Sequence, residues 1–260
     1  MLSYQHAYHA GNLADLHKHA LLARMLAYVT AKPKPLSYLE THAGRALYDL
    51  GAPEARRTRE AEAGIERALA EGWLPPGEPL LQVLGRVRKR EGARAYPGSP
   101  LIAAEMLRPG DRIDLAELHP AEAEALEAAM SGRARIHRED GFGMAGRLCP
   151  PEPRRGLMLV DPSWEVKADY DRLPAFVARI ARKWNVGVIA LWVPILGDLR
   201  HAGMLAALTA GHPEALWSEV RFPPAREGHG MVGSGIFVVN PPWGTAEAAA
   251  AIEGIFRARV

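Results

Sequence analysis

The feature that most constrains the fold is a regular alternation of short apolar strand patterns with helical runs over most of the chain. Strands are predicted at residues 36–40, 112–117, 134–139, 157–160, 186–193, 216–222 and 235–239. Helices are predicted at residues 12–30, 101–107, 121–130, 171–183 and 198–210. Strands that alternate with helices indicate an α/β fold, with a mostly parallel sheet covered by helices on both faces.

Residues 49–95 differ in character from the rest of the chain. They are rich in Glu, Arg and Ala, with helical patterns at 58–71 and 79–91 and no strand pattern. A Trp-Leu-Pro-Pro-Gly break at 73–77 separates the two helical runs. We therefore expect a core formed by residues 1–48 and 96–260, an N-terminal arm at 1–12, and an inserted helical subdomain at 49–95.

Composition limits the class of protein. A length of 260 residues suits one large α/β domain, or one domain that carries an insertion. The single cysteine, Cys149, excludes an internal disulfide framework and fits a reducing cytoplasm. The longest apolar run, 186–197, contains a proline and is too short to span a bilayer. There is no basic segment followed by an apolar one at the N-terminus, so we expect a cytoplasmic protein that does not enter a membrane.

Polar side chains end four of the predicted strands. They are His42, Glu117, Asp140 and Asp161. In open α/β sheets a ligand binds outside the carboxyl ends of the strands, where an acid such as Glu117 can accept hydrogen bonds from ribose hydroxyls. Each acid could instead have a local role, since Asp140-Gly141 is a common turn pair. Acids that end three successive strands together favour a nucleoside site.

The loop after the first strand, residues 40–44, contains one glycine, Gly44. A pyrophosphate-binding site for NAD needs several glycines for close approach of the backbone, so this loop argues against one. S-adenosylmethionine carries no phosphate, so its binding requires fewer glycines in this loop.

The segment Asp161-Pro162-Ser163-Trp164 follows a buried strand pattern. Its carboxylate can hold an exocyclic amine, its proline stiffens the loop, and its aromatic ring can stack on a flat base. The segment 240–243 (NPPW) is similar as a string. It follows the last strand, which is expected to be antiparallel and to point away from the site, so we interpret it as a structural turn.

The N-terminal segment is dense in polar residues, namely Tyr4, His6, His9, Asn12, His17, Lys18 and His19. It could be a surface arm, or a lid that folds over a substrate and places Tyr4 and His6 against it. The histidines lack the i, i+4 pairing with an intervening acid of helical zinc motifs, so no metal is expected.

Ser99 could face the ligand cleft or cap a helix, and the basic run 86–90 could contact phosphate or form a solvated helix face.

With these residues in view, the chain resembles the bacterial 23S ribosomal RNA adenine-N6 methyltransferase J family over essentially its whole length. The resemblance is carried by residues 1–12 (MLSYQHAYHAGN), Ala14-Asp15, Lys18-His19, 41–44 (THAG), 96–103 (YPGSPLIA), 117–120 (ELHP), 140–142 (DGF), Asp161-Pro162 and 240–243 (NPPW).

The resemblance implies a Rossmann-like class I fold with a seven-stranded sheet, S-adenosylmethionine as methyl donor, and adenine N6 in 23S ribosomal RNA as acceptor. By position it implies cofactor contacts from His19, His42, Ser99, Glu117, Asp140, Gly141 and Asp161. It also implies catalytic or substrate contacts from Asp161, Pro162, Trp164, Tyr4, His6 and Lys18. We expect a monomer that requires no metal.

The chain departs from the family pattern at two positions. Ser163 replaces the second proline of the D-P-P-aromatic loop, and Ala46 stands where a second glycine is usual. We expect a less rigid loop and slightly weaker cofactor binding. Alternative readings are an enzyme that methylates another amine, in DNA adenine or protein glutamine, and a non-catalytic RNA-binding module with a decayed site.

Overall fold

The computed structural model describes residues 4–225, 228 and 230–260 of the chain. Residues 1–3, which contribute to the N-terminal motif, lie outside the described residues. The strands in the described part are β1 (Ser37–Glu40), β2 (Leu47–Asp49), β3 (Ala95–Pro97), β4 (Arg112–Ala116), β5 (Arg135–His137), β6 (Gly156–Val160), β7 (Val188–Leu196), β8 (Leu216–Arg221) and β9 (Met231–Val239).

Seven of these strands form the central sheet, in the order β5-β4-β1-β6-β7-β9-β8. The strands β5, β4, β1, β6 and β7 are parallel, and β9 pairs antiparallel with both β7 and β8. The expectation of a mostly parallel seven-stranded sheet is therefore confirmed. The three strands β4, β1 and β6 lie side by side, so their carboxyl ends meet at one place.

Helices cover both faces of the sheet. They are α1 (Leu13–Thr30), α2 (Pro53–Thr58), α3 (Arg67–Ala70), α4 (Pro79–Glu91), α5 (Ser99–Met106), α6 (Pro120–Met130), α7 (Gly141–Leu148), α8 (Asp169–Lys183), α9 (Ala202–Gly211) and α10 (Thr245–Arg259). Side chains of α1, α4, α5 and α10 belong to one hydrophobic cluster, and those of α7, α8 and α9 belong to the other.

The two clusters follow from the period of two along the buried strands. In β6, Leu157 and Leu159 pack into the first cluster, whereas Met158 and Val160 pack into the second. Successive side chains of a strand point to opposite faces, so a continuous run of apolar residues is what a strand buried on both faces requires. The helix α1 begins where predicted, because Asn12 Oδ1 accepts a hydrogen bond from the Asp15 amide at 2.8 Å and caps the helix.

The segment between β1 and α5 contains more than helices. β2 pairs antiparallel with β3, so a two-stranded sheet closes the base of the insertion. The expectation that 49–95 holds no strand is therefore wrong at its two ends, where three-residue strands are too short to show a period of two. Within the insertion a π-helical turn, Glu62–Glu66, packs on the N-terminal segment, since the Ile65 amide donates to Gly11 O at 2.8 Å.

The sequence expectations omit three helices, α2, α7 and α10. The helix α7 contains three glycines, and glycine disfavours helix interiors, which hides the pattern. A tertiary reason explains one of them: a side chain at Gly141 would overlap the carbonyl oxygen of Thr41. The helix α10 covers an alanine-rich run that favours a helix and packs against α1 and β8.

Among the residues described, no helix combines the length and the apolar character needed to cross a bilayer.

Candidate active site

A cavity of about 550 Å³ opens at the carboxyl ends of β1, β4 and β6. All the residues expected from the sequence to contact the cofactor or the substrate line this cavity. They are Tyr4, His6, Lys18, His19, His42, Ser99, Glu117, Asp140, Gly141, Asp161, Pro162 and Trp164. The strand-end residues come together because neighbouring parallel strands end at the same edge of the sheet. The N-terminal residues come from the first turns of α1 and from the segment before it.

The loop after β1 is built around Gly44, whose φ of +60° favours glycine. Its amide donates to Glu117 Oε2 at 2.8 Å, and the His119 amide donates to Glu117 Oε1 at 2.7 Å. Burial raises the pKa of Glu117. A carboxylate offers about four acceptor positions, so Glu117 is held rigidly and can still accept hydrogen bonds from a ligand.

Asp140 and Gly141 connect β5 to α7. Asp140 caps the helix by accepting a hydrogen bond from the Gly143 amide at 2.9 Å. Because Gly141 has no side chain, the N-terminus of α7 lies directly against Thr41 in the loop after β1. Two binding loops are thereby fixed relative to each other.

His42 is a neutral side chain at neutral pH. Burial lowers the pKa of His42 to about 4. Its Nδ1 lies 2.8 Å from Thr41 Oγ1, and its ring packs edge-on against Phe142 with centroids 5.1 Å apart. His42 can therefore offer one neutral nitrogen to a ligand.

The centre of the cavity is an ion pair between Lys18 and Asp161. Lys18 Nζ lies 2.7 Å from Asp161 Oδ2 and 3.0 Å from Asp15 Oδ1, and all three side chains are largely buried. Burial alone would lower the pKa of Lys18, but Asp161 and Asp15 raise it above its usual range. The lysine is thus a permanent cation that holds Asp161 at the end of β6.

Asp15 organises the N-terminal side of the cavity, although sequence reasoning did not select it for a role. It accepts hydrogen bonds from the Gly11 amide at 2.9 Å and pairs with His6 Nε2 at 2.9 Å. Burial raises the pKa of Asp15, but His6, Lys18 and His19 outweigh burial and hold the pKa well below its usual range. In the sequence, an acid in the first turn of a helix looks like ordinary N-terminal stabilisation, which concealed this role.

The segment before α1 runs across the mouth of the cavity. The Tyr4 hydroxyl lies 2.7 Å from His6 Nδ1, and the Tyr4 ring stacks on His9 with centroids 5.7 Å apart. The Tyr4 amide donates to Glu165 Oε2 at 3.2 Å, which ties this segment to the loop after Trp164. A continuous chain of polar contacts therefore runs from Tyr4 through His6, Asp15 and Lys18 to Asp161.

Trp164 lines the cavity and packs on Tyr170 with ring centroids 4.7 Å apart. Its backbone φ is +61°, a left-handed conformation that is unusual for an aromatic residue. Such backbone strain concentrates at functional loops. The ring turns from the end of β6 toward α8 while keeping contact with the cavity.

Ser99 does not cap its helix. It is the first residue of α5, and no side chain caps that helix. Its hydroxyl donates to Glu40 Oε1 at 2.5 Å, and the Tyr38 hydroxyl donates to Glu40 Oε2 at 2.8 Å. Burial raises the pKa of Glu40 to about 8. Sequence reasoning missed this buried acid because it reads as part of an apolar strand.

His19 is a buried residue of the cavity wall. Its Nδ1 lies 2.8 Å from the Tyr96 hydroxyl, and its Nε2 lies 3.7 Å from Asp15 Oδ1. Burial lowers the pKa of His19 to about 3, so the ring is neutral.

Two buried polar atoms in the cavity wall, His119 Nδ1 and Trp164 Nε1, have no hydrogen-bond partner among the described residues, and Asp169 Oδ1 has only an ion pair with Arg172. Buried polar groups are normally satisfied, and exceptions point to a bound ligand or water. The Arg172 guanidinium is 3.4 Å from Asp169 and 3.8 Å from the centre of the Phe142 ring. No pattern in the sequence marks Asp169 or Arg172 as site residues. They reach the cavity because α8 begins beside it.

Other motifs lie outside the cavity. Asn240 lies at the opposite edge of the sheet, where its Nδ2 donates to Gly187 O at 2.9 Å just before β7. Within the basic run, Arg86 and Arg90 pair with Glu105 on α5. In the part of the chain that the structure describes, no group of three or more His, Cys, Asp or Glu residues is arranged to hold a metal ion.

Known proteins resemble this chain over nearly its full length. The model of the family described as "Ribosomal RNA large subunit methyltransferase D, RlmJ" matches residues 33–259. The Ribosomal RNA large subunit methyltransferase J of Escherichia coli K12 is 39% identical, over 94% of this chain and 88% of that protein. The enzyme of the same name from Haemophilus influenzae is 36% identical, with the same shares covered.

Solved structures agree with the sequence comparison. Protein LPL1258 from Legionella pneumophila has a TM-score of 0.86 and 32% identity, covering 95% of this chain and 92% of that one. A probable spermidine synthase from Corynebacterium glutamicum has a TM-score of 0.51 and 13% identity, covering 96% of this chain and 73% of that one. The second likeness concerns the fold alone.

Proposed function

Because the chain belongs to the RlmJ family of ribosomal RNA large subunit methyltransferases, we propose that it transfers a methyl group from S-adenosylmethionine to N6 of a single adenine in 23S ribosomal RNA. The observation that carries the proposal is the position of Asp161. It lies at the end of β6, paired with Lys18, in the same cavity as His42, Glu117 and Asp140.

The cavity suits a nucleoside cofactor. Glu117 would accept hydrogen bonds from ribose hydroxyls, and Asp140 with Gly141 would hold the adenine ring at the N-terminus of α7. The remaining contacts to the cofactor would come from His19, His42, Ser99 and Asp161. The unpartnered Nδ1 of His119 offers a further contact. When bound, S-adenosylmethionine supplies a methyl group on a positively charged sulfur, which makes that carbon electrophilic.

Asp161 would orient the acceptor amine. Lys18 engages its Oδ2, and no hydrogen bond from the described residues reaches its Oδ1. That oxygen, together with the carbonyl of Pro162, can accept the two N6–H groups and turn the nitrogen lone pair toward the methyl carbon. Transfer would form the N–C bond and break the bond between that carbon and the sulfur, and the nitrogen would lose one proton, which Asp161 is placed to accept. Fixed placement of the reacting atoms supplies most of the acceleration.

Other residues would bind and enclose the base. An adenine that leaves its stack loses a few kcal/mol, and stacking on Trp164 returns about 1–3 kcal/mol. Tyr4 would contact the substrate, with its hydroxyl held through His6 and Asp15. His6 would keep that chain of contacts in place at the mouth of the cavity.

The charge of the chain is small, so RNA must be bound by local basic surfaces. Arg172 and Arg200 lie at the cavity. We assign the methyltransferase core to residues 1–48 and 96–260, with its N-terminal arm at 1–12. The helical subdomain at 49–95 would seat that arm and grip the RNA backbone. The enzyme would act in the cytoplasm as a monomer.

The test compares Asp161→Asn with the wild-type chain on 23S ribosomal RNA fragments, on DNA and on glutamine-containing peptides. N6-methyladenine is measured by mass spectrometry, and S-adenosylmethionine binding by calorimetry. We expect methylation of the RNA alone, and a loss of roughly 10²–10⁴-fold in the variant with cofactor binding retained. The matched control is Asp171→Asn, an exposed acid on α8.

If the wild-type chain methylates DNA or peptide instead of RNA, the proposed substrate is wrong. Absence of cofactor binding by the wild-type chain would indicate a decayed site. Full activity of Asp161→Asn would refute the assigned role of the carboxylate.

A further inference from the structure

Trp243 is the most exposed of the large hydrophobic side chains in the described part of the chain, at 80%. Its ring lies beside that of Tyr28, which is 40% exposed, with ring centroids 6.4 Å apart. Neither residue lines the cavity. Burial of a tryptophan stabilises a fold considerably, so a pair of aromatic rings left in solvent points to a binding partner.

The loop that carries Trp243 is held rigidly. Asn240 Nδ2 donates to Asn185 O at 3.2 Å and to Gly187 O at 2.9 Å, which fixes the start of the loop. Thr245 Oγ1 donates to Pro242 O at 2.7 Å and fixes its end. The two prolines between these anchors restrict the backbone further. A ring presented on a preorganised loop loses little conformational entropy when it binds a ligand.

Basic residues lie in the segments that adjoin the aromatic pair. Lys32 and Lys34 are exposed in the turn that follows α1, the helix that ends just after Tyr28. Arg155 donates to Lys34 O at 3.0 Å and to Val29 O, next to Tyr28. The neighbouring Arg154 is exposed, and it donates to the same Asn185 that anchors the Trp243 loop. These contacts join the basic residues and the aromatic rings into one surface.

Few acids oppose this charge. Glu152 and Glu247 are exposed in the adjoining segments, and Asp111 is already paired with Arg108, another basic residue of this edge. The surface therefore keeps an excess of positive charge. It lies before β1, β6 and β7, at the amino edge of the parallel strands. A strand of the length of β6 extends roughly 17 Å, so the surface is separate from the cavity.

We propose that Trp243 and Tyr28, with Lys32, Lys34 and Arg154, form a second binding site for unpaired nucleotides of RNA. Bases would stack on the rings, and the basic side chains would face the phosphates. Aromatic rings among cationic side chains bind single strands in this manner, with little dependence on sequence. The choice of RNA as occupant rests on the proposed function, since a large RNA substrate can reach both edges of the sheet.

The test uses the full chain and a short fluorescent oligouridylate. This probe contains no adenine, so its affinity does not depend on the methyl-transfer reaction. We expect Trp243→Ala to weaken binding roughly tenfold, as the loss of one base-stacking contact does, and Trp243→Phe to retain most of the affinity. Lys32→Glu with Lys34→Glu should also weaken binding and lower the slope of log affinity against log salt by about 1.4.

The matched control is Arg257→Glu with Arg259→Glu, which changes the net charge equally at the other end of α10. This control should bind the probe as the wild-type chain does. With a 23S ribosomal RNA fragment, Trp243→Ala should raise KM and leave kcat unchanged. Asp161→Asn should retain oligouridylate affinity, so failure of the methyltransferase assignment would leave this measurement intact.

If Trp243→Ala binds oligouridylate as tightly as the wild-type chain does, the proposal is overturned. An equal loss in the control pair would also overturn it, by showing a general charge effect. If sedimentation shows that Trp243→Ala abolishes self-association and leaves RNA affinity unchanged, the surface binds a second copy of the chain instead.

Discussion

Replacement of His17 by Gln should remove a large part of the acid sensitivity of the fold. His17 is fully buried on α1, where its Nδ1 lies 2.9 Å from Ser234 Oγ and its Nε2 lies 3.1 Å from Ser218 Oγ. Both partners are neutral hydroxyls. Burial lowers the pKa of His17 to about 3, so the folded protein keeps the ring neutral at pH values where the unfolded chain protonates it.

The sign and the size of the effect follow from this difference. The unfolded chain, with a histidine pKa near 6.5, binds more protons than the folded chain below that pH, so stability falls as the pH falls. For a folded pKa of about 3, the free energy of unfolding should fall by about 2 kcal/mol between pH 8 and pH 5. His19 and His42 have lowered pKa values and contribute in the same direction, so the variant should lose part of the pH dependence.

The assay is urea unfolding at pH 8 and at pH 5, followed by tryptophan fluorescence. The difference in unfolding free energy between the two pH values should be about 2 kcal/mol smaller in His17→Gln than in the wild-type chain. Ser218→Ala is the control, because it removes one hydroxyl and leaves the titrating ring. It should lower stability at both pH values and keep the wild-type pH dependence. An unchanged pH dependence in His17→Gln would refute the reasoning.

Two further predictions concern the cavity, and a third concerns the loop after β1. Gly141→Ala should abolish the calorimetric heat of S-adenosylmethionine binding, because the added methyl group overlaps Thr41 O and separates α7 from the loop after β1; wild-type binding would show that the two loops need not touch. Lys18→Met should lower the free energy of unfolding in urea by about 3–5 kcal/mol, the usual cost of leaving a buried carboxylate unpaired, and a loss below 1 kcal/mol would show that Asp15 and Asp161 are stable without the cation. Ala46→Gly should raise the free energy of unfolding in urea by up to about 1 kcal/mol, because the φ of +63° at Ala46 disfavours residues with a side chain. A decrease would mean that the buried methyl group of Ala46 outweighs the backbone strain.

Much of the fold follows from local patterns. The alternation of apolar strands with helices predicted the seven strands of the central sheet, and Asn12 marked the start of α1 correctly. Helix α7 was not predicted because its glycines hide the helical pattern, and β2 and β3 were not predicted because three-residue strands are too short to show a period of two. Gly141, for example, is required by Thr41 in a loop about a hundred residues earlier in the chain.

The sequence by itself determined which edge of the sheet holds the site, because the residue after a buried parallel strand must lie at its carboxyl end. It determined His42, Glu117, Asp140 and Asp161 as neighbours on that ground alone. Only the tertiary structure decided that Lys18 joins Asp15 to Asp161, that Ser99 serves the buried Glu40, and that Trp243 lies in solvent beside Tyr28. Periodicity reports which face of an element is buried, whereas the pairing of charges and rings depends on how distant elements pack together.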